Sequence, residues 1–224
     1  MYLEIKNICK TIGNAEILKH INLEMERGKI YGLRGQNGSG KTMLMRTICG
    51  LILPTEGEIV IDGETLGKDI SFPRSIGALI ENPGFIADYS GMKNLEVLAS
   101  IQNHIKKEDI AACMEELGLD PNDKKKFKKY SLGMKQKLGI IAAVMENPDL
   151  IILDEPLNAL DEKTVNTVKE ILLRHKARGA LIIISCHDRE ELEFLSDEIF
   201  CIEAGEITGS YVVGETKPEE AVNE

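Results

Sequence analysis

The sequence predicts an α/β fold with a mostly parallel central sheet, and two observations support this prediction. Short apolar runs, typical of strands that are buried on both faces, recur at residues 30–33, 150–153 and 180–185. In the second half of the chain these runs alternate with helical patterns, as at 162–175 and 189–196. Strands that alternate with helices indicate a parallel sheet with helices packed against it.

The N-terminal third differs from the rest and predicts a smaller antiparallel β subdomain. Leu3, Ile5 and Ile8 suggest a strand at the edge of a sheet. Residues 21–25 alternate strictly between apolar and polar side chains, which is the pattern of a half-buried strand. Residues 58–62 predict a further strand that ends in a turn.

A central segment, at about residues 83–147, shows a helical pattern and predicts an inserted helical subdomain. Ser90 is suited to cap one helix, because a serine side chain accepts a hydrogen bond from the free amides of a helix start. Gly118 is suited to end a second helix, and Ser131 is suited to begin a third.

Length and composition indicate a globular protein. Of the 224 residues 43% are hydrophobic and 29% are charged, which excludes a wholly disordered chain. We expect one domain over residues 1–213, with the helices inserted, and a polar tail over residues 214–224. The net charge is −10, and this disfavours nucleic acid as a partner because Lys and Arg must neutralise its phosphates.

The chain lacks the sequence features of a membrane-spanning or secreted protein. Its unbroken apolar runs are far shorter than the about 20 residues that a membrane helix needs. The first six residues alternate in polarity and lack the apolar block of a signal peptide. The five cysteines are widely spaced and form no C-x-x-C pair, so we expect reduced thiols in the cytosol.

A glycine-rich segment after the run at 30–33 predicts a phosphate-binding loop. It fits the pattern G-x-x-x-x-G-K-[ST], and a helix-forming run follows it at 43–49. Glycines let backbone amides turn towards phosphate oxygens, and the helix presents its positive end to the same anion. Lys41 would reach the β- and γ-phosphates, and the Thr42 hydroxyl would bind Mg²⁺. The predicted binding residues are Gly35, Asn37, Gly38, Ser39, Gly40, Lys41, Thr42 and Met43.

Two carboxylates follow the apolar run at 150–153. Ligands of open parallel sheets bind at the carboxyl ends of the strands, so Asp154 is placed to support Mg²⁺ directly or through water. Glu155 projects differently and could polarise an attacking water molecule. A pair of solvent-exposed acids at a strand end is the alternative interpretation, which the upstream phosphate loop disfavours.

Residues 130–137 read Tyr-Ser-Leu-Gly-Met-Lys-Gln-Lys, and with the motifs above they resemble the nucleotide-binding subunit of ABC transporters. The segment is similar to the family signature L-S-G-G-Q-x-Q-R. At two positions the segment departs from the commonest form of this signature. There it resembles a variant of the signature found in subunits that export peptide antibiotics or confer immunity to them. Ser131, Gly133 and Gln136 agree with the signature, and Leu132 and Met134 depart from it.

Two further stretches support the resemblance, which extends from residue 1 to about residue 213. Residues 156–161 resemble the D-loop of the family, and His187 matches its switch histidine. The resemblance implies a P-loop NTPase that binds ATP and Mg²⁺ and hydrolyses ATP, with Glu155, His187 and Lys41 as catalytic residues.

The resemblance also implies a head-to-tail dimer, either of identical chains or with a similar ATPase. Ser131 and Gly133 would then contact the ATP that is bound to the phosphate loop of the other subunit. A single Ser131 helix cannot obviously reach its own phosphate loop, and a helix start attracts anions.

The resemblance implies a separate multispanning permease as the membrane partner, and it would dock near residues 82–92. The apolar candidates for this contact are Phe85, Ile86, Tyr89 and Met92. The chain would then lie in the cytoplasm, on the inner face of the cell membrane, and power export of a peptide antibiotic or another drug-like compound. A soluble ABC-type ATPase of translation or DNA repair is the alternative. Such proteins usually fuse two domains or insert a long coiled coil, and this chain has neither.

Three positions depart from the family pattern around the nucleotide. Glu81 stands where the family usually has the Q-loop glutamine, and its carboxylate would join the metal site beside Thr42 and Asp154. Ile12 stands where an aromatic residue usually stacks on the adenine, and Met43 stands where a second hydroxyl is usual. Ile12 and Met43 predict weaker nucleotide binding than is typical for the family.

Overall fold

The computed structural model describes residues 1–81 and 84–214. Within these ranges the chain forms ten strands and six α-helices. The strands are β1 (Leu3–Ile12), β2 (Ala15–Met25), β3 (Ile30–Arg34), β4 (Glu56–Ile61), β5 (Glu64–Thr65), β6 (Ile76–Leu79), β7 (Leu150–Leu153), β8 (Leu181–Ser185), β9 (Glu198–Glu203) and β10 (Glu206–Val212). The helices are α1 (Lys41–Ile48), α2 (Gly91–Gln102), α3 (Lys107–Glu116), α4 (Leu132–Val144), α5 (Glu162–Ala177) and α6 (Arg189–Leu195).

The strands form two sheets, and the predicted fold class is confirmed. A four-stranded antiparallel sheet has the order β2-β1-β4-β5, and a six-stranded sheet has the order β10-β9-β3-β8-β7-β6. All neighbours in the larger sheet are parallel except the hairpin of β9 and β10. Buried side chains from both sheets and from α1 share one core, and a second core joins the larger sheet to the helices that follow β6.

The prediction of an edge strand at the N-terminus is wrong. Strand β1 is interior to its sheet, since Leu3 pairs with Met25 of β2 on one side and with Ile61 of β4 on the other. Leu3 and Ile5 are buried because the strand is covered on one face by the shared core. The edge strand of this pair is β2.

Helices α2, α3 and α4 lie between β6 and β7 in the chain and pack on one another. Their capping agrees with the sequence: the Ser90 hydroxyl accepts a hydrogen bond from the amide of Lys93, and the Ser131 hydroxyl accepts one from the amide of Met134, both at 3.2 Å. The division into a domain at 1–213 and a tail stays a prediction. The predicted start of the helical subdomain at residue 83 lies outside the described residues, and so does nearly all of the tail, residues 215–224.

Two further expectations concern membrane segments and thiols. In the part of the chain that the structure describes, no helix is both long and apolar enough to cross a membrane. The structure contains all five cysteines as free thiols.

The register of the parallel strands determines where the site lies. Strand β8 runs between β3 and β7, with Leu33 of β3 opposite Ser185 and Leu153 of β7 opposite Ile184. The residues that follow these three strands therefore meet at one edge of the sheet, which is where ligands of such sheets bind.

Candidate functional site

The phosphate loop leaves β3 and enters α1 in a conformation that requires glycine at two positions. A side chain at Gly35 would lie 2.2 Å from the carbonyl oxygen of Ile202, so only glycine fits against the neighbouring strand. Gly40 has a φ of 112°, in the region that favours glycine, and immediately precedes the first residue of α1. The backbone amide of Gly205 donates to the carbonyl of Ser39 and supports the loop from the β9–β10 turn.

The side chains in this loop fit a phosphate group. Lys41 is buried, and its ammonium donates hydrogen bonds to two neutral carbonyls, those of Gly35 at 2.6 Å and Gln36 at 3.1 Å. The hydroxyl of Ser39 is also buried, and it has no hydrogen-bond partner among the described residues. An oxyanion would bind both of these groups, since one is a buried cation that is bonded only to carbonyls and the other is a hydroxyl without a partner.

Thr42 and Asp154 meet across the gap between α1 and β7. The Thr42 hydroxyl donates to one carboxylate oxygen of Asp154 at 2.6 Å, and the hydroxyl of Ser185 donates to the other oxygen at 2.6 Å. The structure therefore brings together two predicted metal-site residues, 112 positions apart in the chain. Their hydroxyl and carboxylate oxygens are the ligand type that Mg²⁺ prefers.

Glu155 and His187 form a pair beside this group. One Glu155 oxygen accepts a hydrogen bond from the backbone amide of His187 at 3.0 Å, and the other lies 3.5 Å from the Nε2 atom of its ring. Burial raises the pKa of the Glu155 carboxyl above its usual range, and charge on His187 partly opposes this effect. A carboxylate with a raised pKa and a free lone pair is a better proton acceptor than an ordinary carboxylate.

Gln136, which lies one turn into α4, contacts the backbone of this same segment. Its side-chain amide donates to the carbonyl of Glu155 and to that of Pro156, both at 3.0 Å. The sequence shows that Gln136 agrees with the signature but does not reveal this contact, which depends on how α4 packs against the end of β7.

The described hydrogen bonds and ion pairs do not join Glu81 to Thr42 or Asp154. The Glu81 carboxylate pairs with the guanidinium of Arg46 on α1 at 2.7 Å, and the residue's φ of 57° turns the chain just after β6. Arg46 is not among the site residues that the sequence predicts. Its position one turn after Thr42 on α1 nevertheless indicates a basic neighbour for a carboxylate in the Q-loop.

The remaining predicted residues lie at three separate places. Ile12 ends β1 with 49% of its surface exposed, and Met43 packs partly against the core below α1. Ser131 and Gly133 begin α4, where the nearest described neighbour to a side chain at Gly133 would be the carbonyl of Ala159 at 2.9 Å. The described hydrogen bonds and ion pairs do not join Ser131 or Gly133 to the phosphate loop of the same chain.

The fold and the site define a P-loop nucleotide-binding protein, and comparisons with known sequences identify its family. The family model described as ABC transporter matches residues 18–158. YybJ of Bacillus subtilis (strain 168), an uncharacterized ABC transporter ATP-binding protein, is 48% identical over 195 residues, which are 87% of this chain and 89% of the relative.

Two further relatives carry names from antibiotic transport. The bacitracin transport ATP-binding protein BcrA of Enterococcus faecalis is 37% identical over 95% of this chain and 70% of its own length. The lantibiotic transport ATP-binding protein SrtF of Streptococcus pyogenes is 37% identical over 92% of this chain and 88% of its own length.

Solved structures agree with the sequence comparisons. The ATP binding subunit of an ABC transporter superposes with a TM-score of 0.88 at 26% identity, over 95% of this chain and 90% of that one. The bacterial ABC transporter cassette MJ0796, solved as a dimer, superposes with a TM-score of 0.85 at 25% identity, over 96% of this chain and 100% of that one. The chain belongs to the ABC transporter family: it is an ATP-binding subunit with ATPase activity.

Proposed function

We propose that this subunit hydrolyses ATP to power the export of a peptide antibiotic or another drug-like compound. The observation that carries the proposal is the meeting of Lys41, Asp154, Glu155 and His187 at one sheet edge. The class of exported compound rests on the two relatives that are named for bacitracin and lantibiotic transport.

Within this site the phosphate loop holds the triphosphate. Lys41 exchanges the carbonyls of Gly35 and Gln36 for the β- and γ-phosphates, and the amides of the loop donate to the remaining oxygens. Thr42 and Asp154 would hold Mg²⁺, which would neutralise charge on the phosphate oxygens. Glu81 joins these two residues only after it leaves Arg46.

Glu155 accepts the proton of the attacking water, because its carboxyl has a raised pKa and one of its oxygens has no described hydrogen bond. His187 holds this carboxylate in place through its backbone amide, and its ring would contact the transferred phosphoryl group. Ser131 and Gly133 of a second subunit complete the site. They lie at the start of that subunit's α4, whose positive end would face the bound phosphates.

We further propose that a separate multispanning permease binds this subunit at the cytoplasmic face of the membrane. Ile86 and Tyr89 support a contact there, with 46% and 39% of their surfaces exposed. Phe85 and Met92 are less suitable than the sequence suggests. Met92 is buried in the helical core, and Phe85 packs edge-on against Phe127 with 5.1 Å between ring centres.

The experiment is affinity capture of the tagged chain from membranes, followed by sequencing of the retained protein. We expect a multispanning protein, with retention lost in Ile86→Asp. Ile101→Asp is the matched control, because Ile101 is 76% exposed at the far end of α2. Capture of ribosomal or DNA-repair proteins instead would support a soluble ATPase and contradict the proposal.

Replacement of Ile12 by Tyr is expected to tighten ATP binding by up to roughly tenfold, the lower end of the range for stacking on a base. Ile12 is exposed at the end of β1 and offers the adenine only dispersion contact. For the same reason the wild-type chain should discriminate poorly between ATP and GTP. Titration of both nucleotides against both chains tests this. A strong wild-type preference for ATP, without a gain from Tyr, would assign the base to another residue.

A further inference from the structure

A buried serine, Ser185, contacts the carboxylate of Asp154 and the backbone amide of Glu155. We propose that Ser185 is a positioning residue for ATP hydrolysis: it holds Asp154 towards Thr42 and holds the backbone of Glu155 in its catalytic orientation. The inference rests on the proposed function, because it assigns no new reaction and explains how one side chain positions both Asp154 and the backbone of Glu155.

Both hydrogen-bonding capacities of this hydroxyl are used. The Ser185 hydroxyl donates to Oδ1 of Asp154 at 2.6 Å and accepts a hydrogen bond from the backbone amide of Glu155 at 2.9 Å. The residue has no exposed surface, so water does not compete for either bond. A buried hydroxyl with both bonds satisfied orients its neighbours far more strictly than an exposed one.

The first bond divides the two oxygens of Asp154 between different tasks. Oδ1 is bonded to Ser185, and this leaves Oδ2 directed at the Thr42 hydroxyl, where the metal would bind. Without the serine, the carboxylate could rotate and either oxygen could face the phosphate loop. Residues that orient a metal ligand in this way commonly affect metal affinity or activity by about 10–100-fold.

The second bond supports the backbone that carries Glu155. Glu155 has a φ of 51°, which a non-glycine residue adopts only when its surroundings hold it there. The Glu155 side chain then reaches the backbone amide of His187, two residues after Ser185. The end of β8 therefore fixes Glu155 twice, once through its amide and once through its carboxylate.

The position of Ser185 within β8 is also unusual. The four residues before it, Leu181 to Ile184, are apolar and fully buried, and an apolar residue at position 185 would continue the same pattern. A polar side chain at the last buried position of a core strand usually makes hydrogen bonds. The only two groups that it contacts by side-chain hydrogen bonds, among the described residues, belong to the site.

The experiment compares Ser185→Ala with Ser185→Thr, which keeps the hydroxyl, and with Ser196→Ala. Ser196 is a matched control because it is also a buried serine near the larger sheet, and its hydroxyl has no partner in the described part of the chain. Each chain is tested for kcat and KM of ATP hydrolysis, for melting temperature, and for binding of a fluorescent ATP analogue in Mg²⁺ and in EDTA. Titration in EDTA counts the sites that are folded, and kcat is expressed per such site.

We expect Ser185→Ala to lower kcat by about 10–100-fold and to weaken binding in Mg²⁺ while binding in EDTA is unchanged. Ser185→Thr should keep most of the wild-type kcat, and Ser196→Ala should equal the wild type. A wild-type kcat in Ser185→Ala would overturn the proposal, as would an equal loss in Ser196→Ala. Glu155→Gln serves as the reference: if that variant also kept its full rate, the proposed function itself would be wrong.

Discussion

Replacement of Glu155 by Gln is expected to slow ATP hydrolysis by roughly 10²–10⁴-fold while ATP binding is retained. The amide keeps the shape of the side chain and can still accept a hydrogen bond from the backbone amide of His187. It cannot take a proton from the attacking water. Lys41, Thr42 and Asp154, which hold the triphosphate and the metal in the proposed function, are unchanged. The measurements are phosphate release under saturating ATP and binding of a fluorescent ATP analogue.

The pH dependence of the same pair of chains separates a base from a merely structural residue. Burial raises the pKa of Glu155, so the wild-type rate should fall with acidification at a higher pH than an ordinary carboxyl would cause. The residual rate of the glutamine variant should lack this limb of the profile. A variant that turns over at nearly the wild-type rate, or that shows the same acidic limb, would contradict the assignment of Glu155 as the base.

Mixtures of a Ser131→Arg chain with a Lys41→Ala chain are expected to regain activity that neither chain has alone. Ser131 lies at the start of α4, without a described bond to its own phosphate loop, and in the proposed dimer it contacts the ATP of the other subunit. One of the two composite sites in a mixed dimer then contains an intact Lys41 and an intact Ser131. The signal is partial recovery of phosphate release in the mixture.

Ser90→Arg is the matched control for this experiment. Ser90 caps α2 with a hydrogen bond of the same length as that of Ser131 on α4, and loss of such a cap costs about 1 kcal/mol. The Ser90→Arg chain should therefore remain active alone. If the wild-type rate per chain stays constant on dilution far below the dimerisation range, the shared site does not exist.

Much of the fold and the centre of the site follow from local patterns in the sequence. The phosphate loop, the carboxylates after β7 and the histidine after β8 each stand directly after a run of apolar residues, so their placement needs only the rule for parallel sheets. The caps at Ser90 and Ser131 are local as well, since each bonds to a residue three positions along.

The features that the sequence did not reveal depend on contacts between distant segments. The interior position of β1 follows from its pairing with β4, about 50 residues away, which no local pattern predicts. Ser185 looks like the end of an apolar strand until the order β3-β8-β7 sets it beside Asp154. The pairing of Glu81 with Arg46 likewise joins α1 to the residues that follow β6, which are distant in the chain.

The hydrogen bonds of Gln136 would link the two nucleotide sites of the proposed dimer. Helix α4 begins at Ser131, next to the partner's nucleotide in the proposed dimer, and one turn later the Gln136 amide holds the carbonyls of Glu155 and Pro156 in its own site. A shift of α4 on binding or release at one nucleotide therefore reaches the catalytic backbone of the other. Because such allosteric coupling is reciprocal, the two sites should respond to ATP cooperatively rather than turn over independently.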